Sequence, residues 1–403
     1  MRRKEDKEKV CVIGLGYVGL PTAAILASRG YPVLGVEPKE GARRIIASGK
    51  AHIVEPELDM LVEAGVQTER LRVSAAIKES DVFILCVPTP LGEDAKPDLS
   101  YVMAATENVA TVLKEGDLVI LESTSPPRTT ELVADTLCRL TGFKPGSFYC
   151  AHAPERVLPG KVVQEVVANA RVVGGVDEAS TERCARFYSG WVTGEILKTN
   201  SRAAETIKLV ENSYRDVNIA FANELSMAAD ELDLDVREII ELANFHPRVN
   251  ILSPGPGVGG HCIAIDPYFL IDAAPNTTPL IAQARRVNQR KVDWVIEKVR
   301  ERAGDGDIVC LLGLAYKPDS DDLRESPAVA IARKLREEFK VNIVEPYLMT
   351  HPEFELTELD EALKNSELIV SLVAHRQFGD LSPDQLSEKK LLDIVGIFPE
   401  VEA

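Results

Sequence analysis

The chain has 403 residues, of which 45% are hydrophobic and 27% charged, a balance that suits about two or three globular domains and excludes a disordered or fibrous protein. Its formal net charge of −17 repels phosphate backbones, so nucleic acid is not an expected partner and any anionic ligand must be met by local lysines, arginines or helix ends. No apolar run approaches the roughly 20 residues that span a bilayer, and the start "MRRKEDKEK" has no apolar stretch of a secretory signal, so a cytoplasmic protein with no membrane partner is expected.

Along the chain, "KVCVIGLGYVGLPTAAILASRG" starts with a β-branched run, breaks at Gly14-x-Gly16-x-x-Gly19 and continues as an alanine-rich helical pattern that stops at Gly30. A second apolar strand, "YPVLGVEP", ends in Glu37, eighteen residues after Gly19. Strand, glycine turn, helix and a distant acid form a dinucleotide-binding pattern. The first glycine permits the turn, the second lets a pyrophosphate approach, the third packs helix on strand, and the acid suits a ribose diol. Gly14, Gly16, Tyr17, Val18, Gly19 and Glu37 are therefore expected to hold the cofactor, and NAD rather than NADP, because Glu37 would repel a 2′-phosphate.

"DVFILCVPTP" and "DLVILESTSPP" read as two more buried strands, each ending in a Pro/Ser/Thr loop at the edge where such sheets bind ligands. Thr89, Ser123 and Thr124 are candidates for cofactor or water contacts there, or plain turn and cap residues. From Ser201 to Glu231 there is no Gly or Pro, and apolar residues recur at 207, 210, 214, 217, 221 and 225. This spacing predicts one long helix with an apolar stripe, a spine linking domains or packing against a twin. Lys208 and Asn212, four apart, share a face. The last hundred residues alternate again: "DIVCLLGLAY", a helix entered at Ser326-Pro327, "VNIVEP", "ELIVSLVAH" and "LLDIVGIF". They have no second glycine fingerprint; the loop "YKPDSDDLRES" offers Lys317 and Arg324 as a cradle for a phosphorylated ligand or as a charged surface loop.

The fold expected is α/β, two Rossmann-like parallel-sheet domains joined by a long central helix. The domains are residues 1–198 for NAD, 199–300 for the helical centre and the cysteine loop, and 301–403 for the second Rossmann-like sheet. Seven cysteines, an odd number with no Cys-x-x-Cys pair, argue against a disulfide framework. Cys11, Cys86 and Cys310 lie in apolar strand-like runs and read as small hydrophobes. Cys262 differs: it sits in "GVGGHCIAIDP", after three glycines, next to His261 and four residues before Asp266. The six histidines form no ligand pair, so no metal is expected.

Taken together, "GLGYVGLP", "VPTP", "ESTSPP", "APERVLPG", "KLVENSYRDVNIAFANE", "HPRVN", "GVGGHCIAIDP" and "LAYKPDSDDLRESPA" resemble the nucleotide-sugar 6-dehydrogenases, the family of UDP-glucose and GDP-mannose dehydrogenases. "IVEPELD", "ERVLPG", "TNSRAAE" and "RVNILSPGPGVGGHCIAIDP" place it nearest the branch that acts on UDP-amino sugars. The resemblance implies a four-electron oxidation of a sugar C6 hydroxyl to a carboxylate with two NAD, Cys262 being the nucleophile of a thiohemiacetal and then a thioester. It implies that Lys208 and Asn212 stabilise the oxyanion and that Asp266 is the general base, while Thr124 positions water and Glu155 assists hydrolysis. Substrate contacts are implied for Arg156, Val157, Asn250, Gly259, His261, Tyr316, Lys317 and Arg324. Arg248 is expected to reach the active site of the neighbouring subunit, so a homodimer is expected. The substrate implied is UDP-N-acetylmannosamine, with UDP-N-acetylglucosamine and UDP-glucose as alternatives.

Three departures from the family pattern stand out. Ala153 and Pro159 replace an asparagine and a second glutamate found in UDP-glucose oxidisers, so hydrolysis is expected to lean on Glu155 and Asp266. Glu37 replaces the usual aspartate, and "LLDIVGIFPEVEA" has no late arginine of the kind many relatives use near the cofactor. Two other readings stay open: a two-electron hydroxyacid dehydrogenase, which needs no thiol, and a binding protein that keeps the fold without the chemistry.

Overall fold

The computed structural model describes residues 7–92, 94–158 and 160–398, so Pro159 and the last five residues lie outside the description. The described chain forms two compact units. One runs to Val210 and includes Tyr268–Ala273; the other comprises Glu211–Pro267 and the chain from Ala274 onward.

The first unit is built on an eight-stranded sheet: β1 Val10–Ile13, β2 Val33–Val36, β3 Leu71–Ser74, β4 Val82–Leu85, β5 Leu118–Leu121, β6 Tyr149–His152, β7 Arg171–Gly175 and β8 Ile196–Asn200. Their spatial order is 3-2-1-4-5-6-7-8, whose first six positions are those of the dinucleotide-binding fold with its switch point between β1 and β4. The two-residue alternation of side chains along a strand explains how both faces are covered. Val10, Val12, Ile84 and Ile120 enter one apolar cluster, whereas Cys11, Ile13, Leu85 and Leu121 enter the other. All neighbours pair in parallel except β6 and β7, which run antiparallel. β8 follows β7 in parallel, so the last two strands both oppose the first six.

The expected helix over 201–231 forms as Ser201–Glu231. Within the first unit its Glu205 accepts from the amides of Arg128 and Thr130, each at 2.7 Å, and from the Thr130 hydroxyl at 2.6 Å. The side chain thereby satisfies the orphan donors at the start of helix Thr129–Thr141. Within the second unit the same helix packs against helix Pro279–Arg302 through polar rungs: Asp216 with Arg285 at 2.6 Å and Asn288 at 2.8 Å, Asn223 with Asn288 at 2.9 Å, and Ser226 with Lys291 at 2.7 Å. The predicted apolar stripe divides: Val210, Tyr214 and Phe221 are exposed, whereas Val217 packs with Ala220, Ala284 and Val287. Small and polar residues are buried at this seam, among them Ala220, Asn223 and Ser226, because the partner helix offers amides and cations beside the small apolar side chains of Ala284 and Val287.

The second unit carries a parallel four-stranded sheet, β9 Ile308–Leu312, β10 Lys340–Val344, β11 Leu368–Ser371 and β12 Lys390–Asp393, in the order 10-9-11-12. Ser326 caps the following helix Pro327–Leu335, as the Ser-Pro start predicts. No helix among the described residues is long and apolar enough to cross a membrane.

Cys11 and Cys310 are fully buried, and burial pushes each thiol up to about 12. Cys86 departs from the small-hydrophobe reading, because its thiol donates to Glu122 at 3.0 Å. His152, at the end of β6, is fully buried with neither ring nitrogen hydrogen-bonded, and desolvation lowers it from 6.5 to about 3. As pH falls the unfolded chain takes up this proton first, so stability present above pH 6.5 is lost on the way down. Replacing His152 with Leu is therefore expected to shrink the stability difference between pH 7.5 and pH 5 by roughly 2 kcal/mol, read from denaturant unfolding at the two pH values. An unchanged difference would place the acid sensitivity elsewhere.

Candidate active site

The glycine turn of the first unit meets each demand of a pyrophosphate cradle. Gly14 has φ +88°, and a Cβ there would meet the Cys86 carbonyl oxygen at 2.5 Å. A Cβ on Gly19 would lie 1.9 Å from the Gly14 carbonyl oxygen, so this glycine lets helix Gly19–Ser28 press onto the turn. Gly16 has nothing within 4 Å of its missing Cβ; it is the open position, which leaves room for a ligand. No side chain caps the helix start, so its first amides are available to an anion. Glu37, buried at the end of β2, accepts from Leu15 N at 3.1 Å and Lys39 N at 3.0 Å, which fixes its carboxylate beside the turn where a ribose diol belongs. Arg43 lies close by, but its guanidinium donates to the carbonyls of Glu37 and Pro38. Tyr17 is exposed and Val18 half-buried on the same turn.

At the carboxyl ends of β4 and β5 the loop hydroxyls hold the loops together. Thr89 donates to the Thr124 carbonyl at 2.7 Å, and Ser123 to the Val87 carbonyl at 2.8 Å. Both hydroxyls thus position the crevice rim, and Thr124 remains half-buried. Beneath the rim lies a cluster that the sequence reading did not single out. Arg171 binds Glu122 at 2.9 Å through Nη1 and Glu155 through Nη2, with all three side chains at most 7% exposed. Tyr188 at 3.1 Å, Thr22 at 3.4 Å and the Cys86 thiol also donate to Glu122. Burial raises the Glu122 carboxyl, and Arg171 opposes that rise. A glutamate closing an apolar strand in "LVILES" was the available signal, since a polar residue in a buried context is the informative exception. Arg156 donates its amide to Glu155 at 2.8 Å and its guanidinium to the Ala170 carbonyl at 2.5 Å. Val157 packs against the apolar core, which leaves its backbone rather than its side chain for a substrate contact. Lys208 is half-buried on the spine helix.

In the second unit, Cys262 sits in a turn. Its carbonyl accepts from Ile265 N at 3.0 Å and Asp266 N at 2.8 Å, so Cys262 and Asp266 are one helical turn apart at the start of helix Asp266–Ala273. The Asn212 amide donates to Asp266 Oδ2 at 2.6 Å, and both residues are buried. The glycines before the thiol make room for neighbouring protein. A Cβ on Gly259 would meet the Glu325 carbonyl oxygen and the Tyr316 Cβ at 2.7 Å, and one on Gly260 the Tyr316 ring at 2.8 Å. Gly260 N also binds the Arg324 carbonyl at 2.9 Å. Cys262 itself is half-buried and His261 is exposed.

In the neighbouring loop, Arg324 is chelated by Asp322 at 2.5 to 3.1 Å, so its charge is already matched. Lys317 lies 5.8 Å from the Tyr316 ring centroid. Arg248 and Asn250 are exposed in a loop clamped by Asn244, which binds Ile251 through both backbone groups at 2.7 and 3.1 Å.

Three family models match the chain in succession. All describe the UDP-glucose/GDP-mannose dehydrogenase family: its NAD binding domain over 8–192, its central domain over 202–290 and its UDP binding domain over 310–399. A UDP-N-acetyl-D-mannosamine dehydrogenase of Campylobacter jejuni is 47% identical, over 94% of this chain and 98% of that protein. An NDP-N-acetyl-D-galactosaminuronic acid dehydrogenase of Ralstonia nicotianae is 44% identical, over 98% of this chain and 97% of that protein. Among solved structures, the UDP-D-ManNAc dehydrogenase of Pyrococcus horikoshii superposes with TM-score 0.90 at 40% identity, covering 98% of this chain and 96% of that one.

The glycine geometry separates binding from folding. Gly16→Val is expected to keep the thermal midpoint within about 2 °C while weakening NAD at least about tenfold, measured by calorimetric titration. Gly19→Val is expected to lose folded protein altogether. Unaltered NAD affinity in Gly16→Val would remove the turn from the cofactor site.

Proposed function

Because the chain belongs to the UDP-glucose/GDP-mannose dehydrogenase family, and so is an NAD-dependent nucleotide-sugar dehydrogenase, we propose that it oxidises the C6 hydroxyl of UDP-N-acetyl-D-mannosamine to the carboxylate through a covalent intermediate on Cys262. Residues 1–198 bind the cofactor, 199–300 supply the thiol, and 301–403 hold the UDP. The observation that carries the reading is the buried Asn212–Asp266 pair at 2.6 Å, with Cys262 one helical turn from Asp266. A two-electron hydroxyacid dehydrogenase would have no use for a thiol in that position.

NAD, when bound, supplies the hydride acceptor for both oxidations. In the first, Asp266, directly or through water, takes the C6 hydroxyl proton, while Asn212 and Lys208 donate to the oxygen as charge develops on it. The Cys262 thiolate then adds to the aldehyde carbon, which holds the reactive carbonyl on the protein as a thiohemiacetal. The second oxidation converts this adduct to a thioester. Water, positioned by Thr124 and assisted by Glu155, breaks the C–S bond and returns the thiol. The net change is one alcohol, one water and two NAD+ to one carboxylate, two NADH and three protons. Tyr316, Lys317, Arg156 and the Val157 backbone are assigned to substrate. Asn250, Gly259, His261 and Arg324 are assigned there as secondary contacts.

The Campylobacter and Pyrococcus relatives support N-acetylmannosamine as the sugar by their names, and the Ralstonia relative makes the galacto-configured sugar the runner-up. A homodimer is supported by the outward stripe of Val210, Tyr214 and Phe221 and by exposed Phe245 near Arg248; covering such a stripe would let Arg248 reach the partner's site.

NADH formed per sugar consumed tests the reaction. Two equivalents are expected with UDP-N-acetylmannosamine, and Cys262→Ser is expected to lose at least about 100-fold in the full conversion. One equivalent, unaltered by the serine, would replace this reading with the two-electron one. Faster turnover of the galacto or gluco sugar would move only the substrate.

A further inference from the structure

Arg171 opens β7, the strand that reverses direction. The reversal brings the beginning of β7 to the sheet edge where β5 and β6 end. The antiparallel register pairs Ala151 with Gly175 and His152 with Gly174; continued three residues past β6, it sets Glu155 opposite Arg171. The side chain closes that gap: Nη2 bonds Glu155 Oε2, and Nη1 bonds Glu122 Oε1 at 2.9 Å. The guanidinium also lies 4.7 Å from the Tyr188 ring centroid and 5.9 Å from that of Trp191, at 3% exposure. It has one place to be.

We propose that Arg171 is a positioning residue for hydrolysis of the acyl-enzyme, holding the Glu155 carboxylate in one orientation. This rests on the reading that Cys262 carries a thioester and that Glu155 assists its cleavage. In that step a water oxygen bonds to the thioester carbon, its proton passes to Glu155, and the C–S bond breaks with the electron pair leaving on Cys262 sulfur.

Two features make Glu155 suited to the step only with Arg171 present. First, its carboxylate is held at both oxygens, Oε1 by the Arg156 amide at 2.8 Å and Oε2 by Arg171. A general base must be fixed within hydrogen-bond reach of the proton it takes. Second, the groups around the guanidinium are Glu122, Glu155, Cys86, Cys184 and Tyr188. Burial pushes both thiols and the phenol well above their usual ranges, so these three stay neutral. What remains is two carboxylates sharing one cation. Removing the cation leaves two buried like charges, and one of them takes up a proton. A lysine could face one carboxylate; the planar fork of arginine spans both.

Glu122 anchors the other side of the fork. With Tyr188, Thr22 and Cys86 also donating to it, its orientation is fixed from the core, and Arg171 passes that rigidity outward to Glu155.

The test follows NADH by stopped flow and the mass of acid-quenched protein, from pH 6 to pH 9, with NAD and UDP-N-acetylmannosamine. Arg171→Met is expected to keep a rapid phase of two NADH per site and then turn over at least about tenfold more slowly at pH 7, with acyl adduct accumulating on Cys262. Its acidic limb is expected to move up by about one pH unit or more, so that activity recovers on the alkaline side. Arg171→Lys should fall between, and Glu122→Gln, which keeps the cation on Glu155, should not accumulate adduct or move the limb upward. If Arg171→Met does not fold, the contrast between Arg171→Lys and Glu122→Gln decides.

Equal slowing of both phases with an unmoved acidic limb would overturn the proposal and leave Arg171 a structural ion pair. No Cys262 adduct in any protein, wild type included, together with one NADH per sugar, would instead overturn the thioester reading and the role of Arg171 with it.

Discussion

One arginine between two buried carboxylates ties together four elements of the first unit. Taking three charged side chains out of water costs several kcal/mol per ion, and the cluster is tenable only because its polar atoms are occupied. Glu122 receives from Arg171, Tyr188, Thr22 and Cys86, and Glu155 from Arg171 and an amide. These partners come from β7, the Glu178–Ser189 helix, the helix after the glycine turn and the end of β4. The helix after the cofactor turn and the Glu155 loop thus meet in one set of bonds, and the Glu155 loop cannot shift without unpairing a buried carboxylate from Arg171.

The second unit uses buried polar contacts and one ion pair, Asp216 with Arg285, for the same purpose. Asp216, Asn223 and Ser226 of the spine helix meet Arg285, Asn288 and Lys291 of its neighbour, a spacing that sets the axial register of the two helices. With that register fixed, Asn212, one turn before Asp216, meets Asp266. The cysteine turn is then pinned from the other side by Tyr316 and Glu325, which fill the space that side chains on Gly259 and Gly260 would take. Rigid placement of this kind is what the roles proposed for Cys262 and Asp266 require, since a misplacement of about 1 Å can lower a rate steeply.

Several elements were legible because their signals are local. The turn at Gly14-x-Gly16-x-x-Gly19, the helix from Ser201 to Glu231 and the Ser326-Pro327 start each depend on residues within a few positions of one another, and the structure has them where the pattern put them. The stripe at 210, 214 and 221 was read correctly as helical, but its direction was not legible: periodicity says that one face is apolar, not what it faces. Likewise the "GVGG" run marked a close approach without saying to what, and the neighbour is Tyr316, more than fifty residues away.

Sequence by itself determined the dinucleotide turn, the alternating strands, the long helix and the family, because steric freedom at glycine, two- and 3.6-residue periods and short motifs are carried by neighbouring residues. Only tertiary structure decided the rest. The reversal of β7, the pairing of Arg171 with Glu155 sixteen residues away and with Glu122 forty-nine away, and the meeting of Asn212 with Asp266 depend on strand register and helix packing. Those are set by the sum of many distant contacts, and no local stretch of the chain records them.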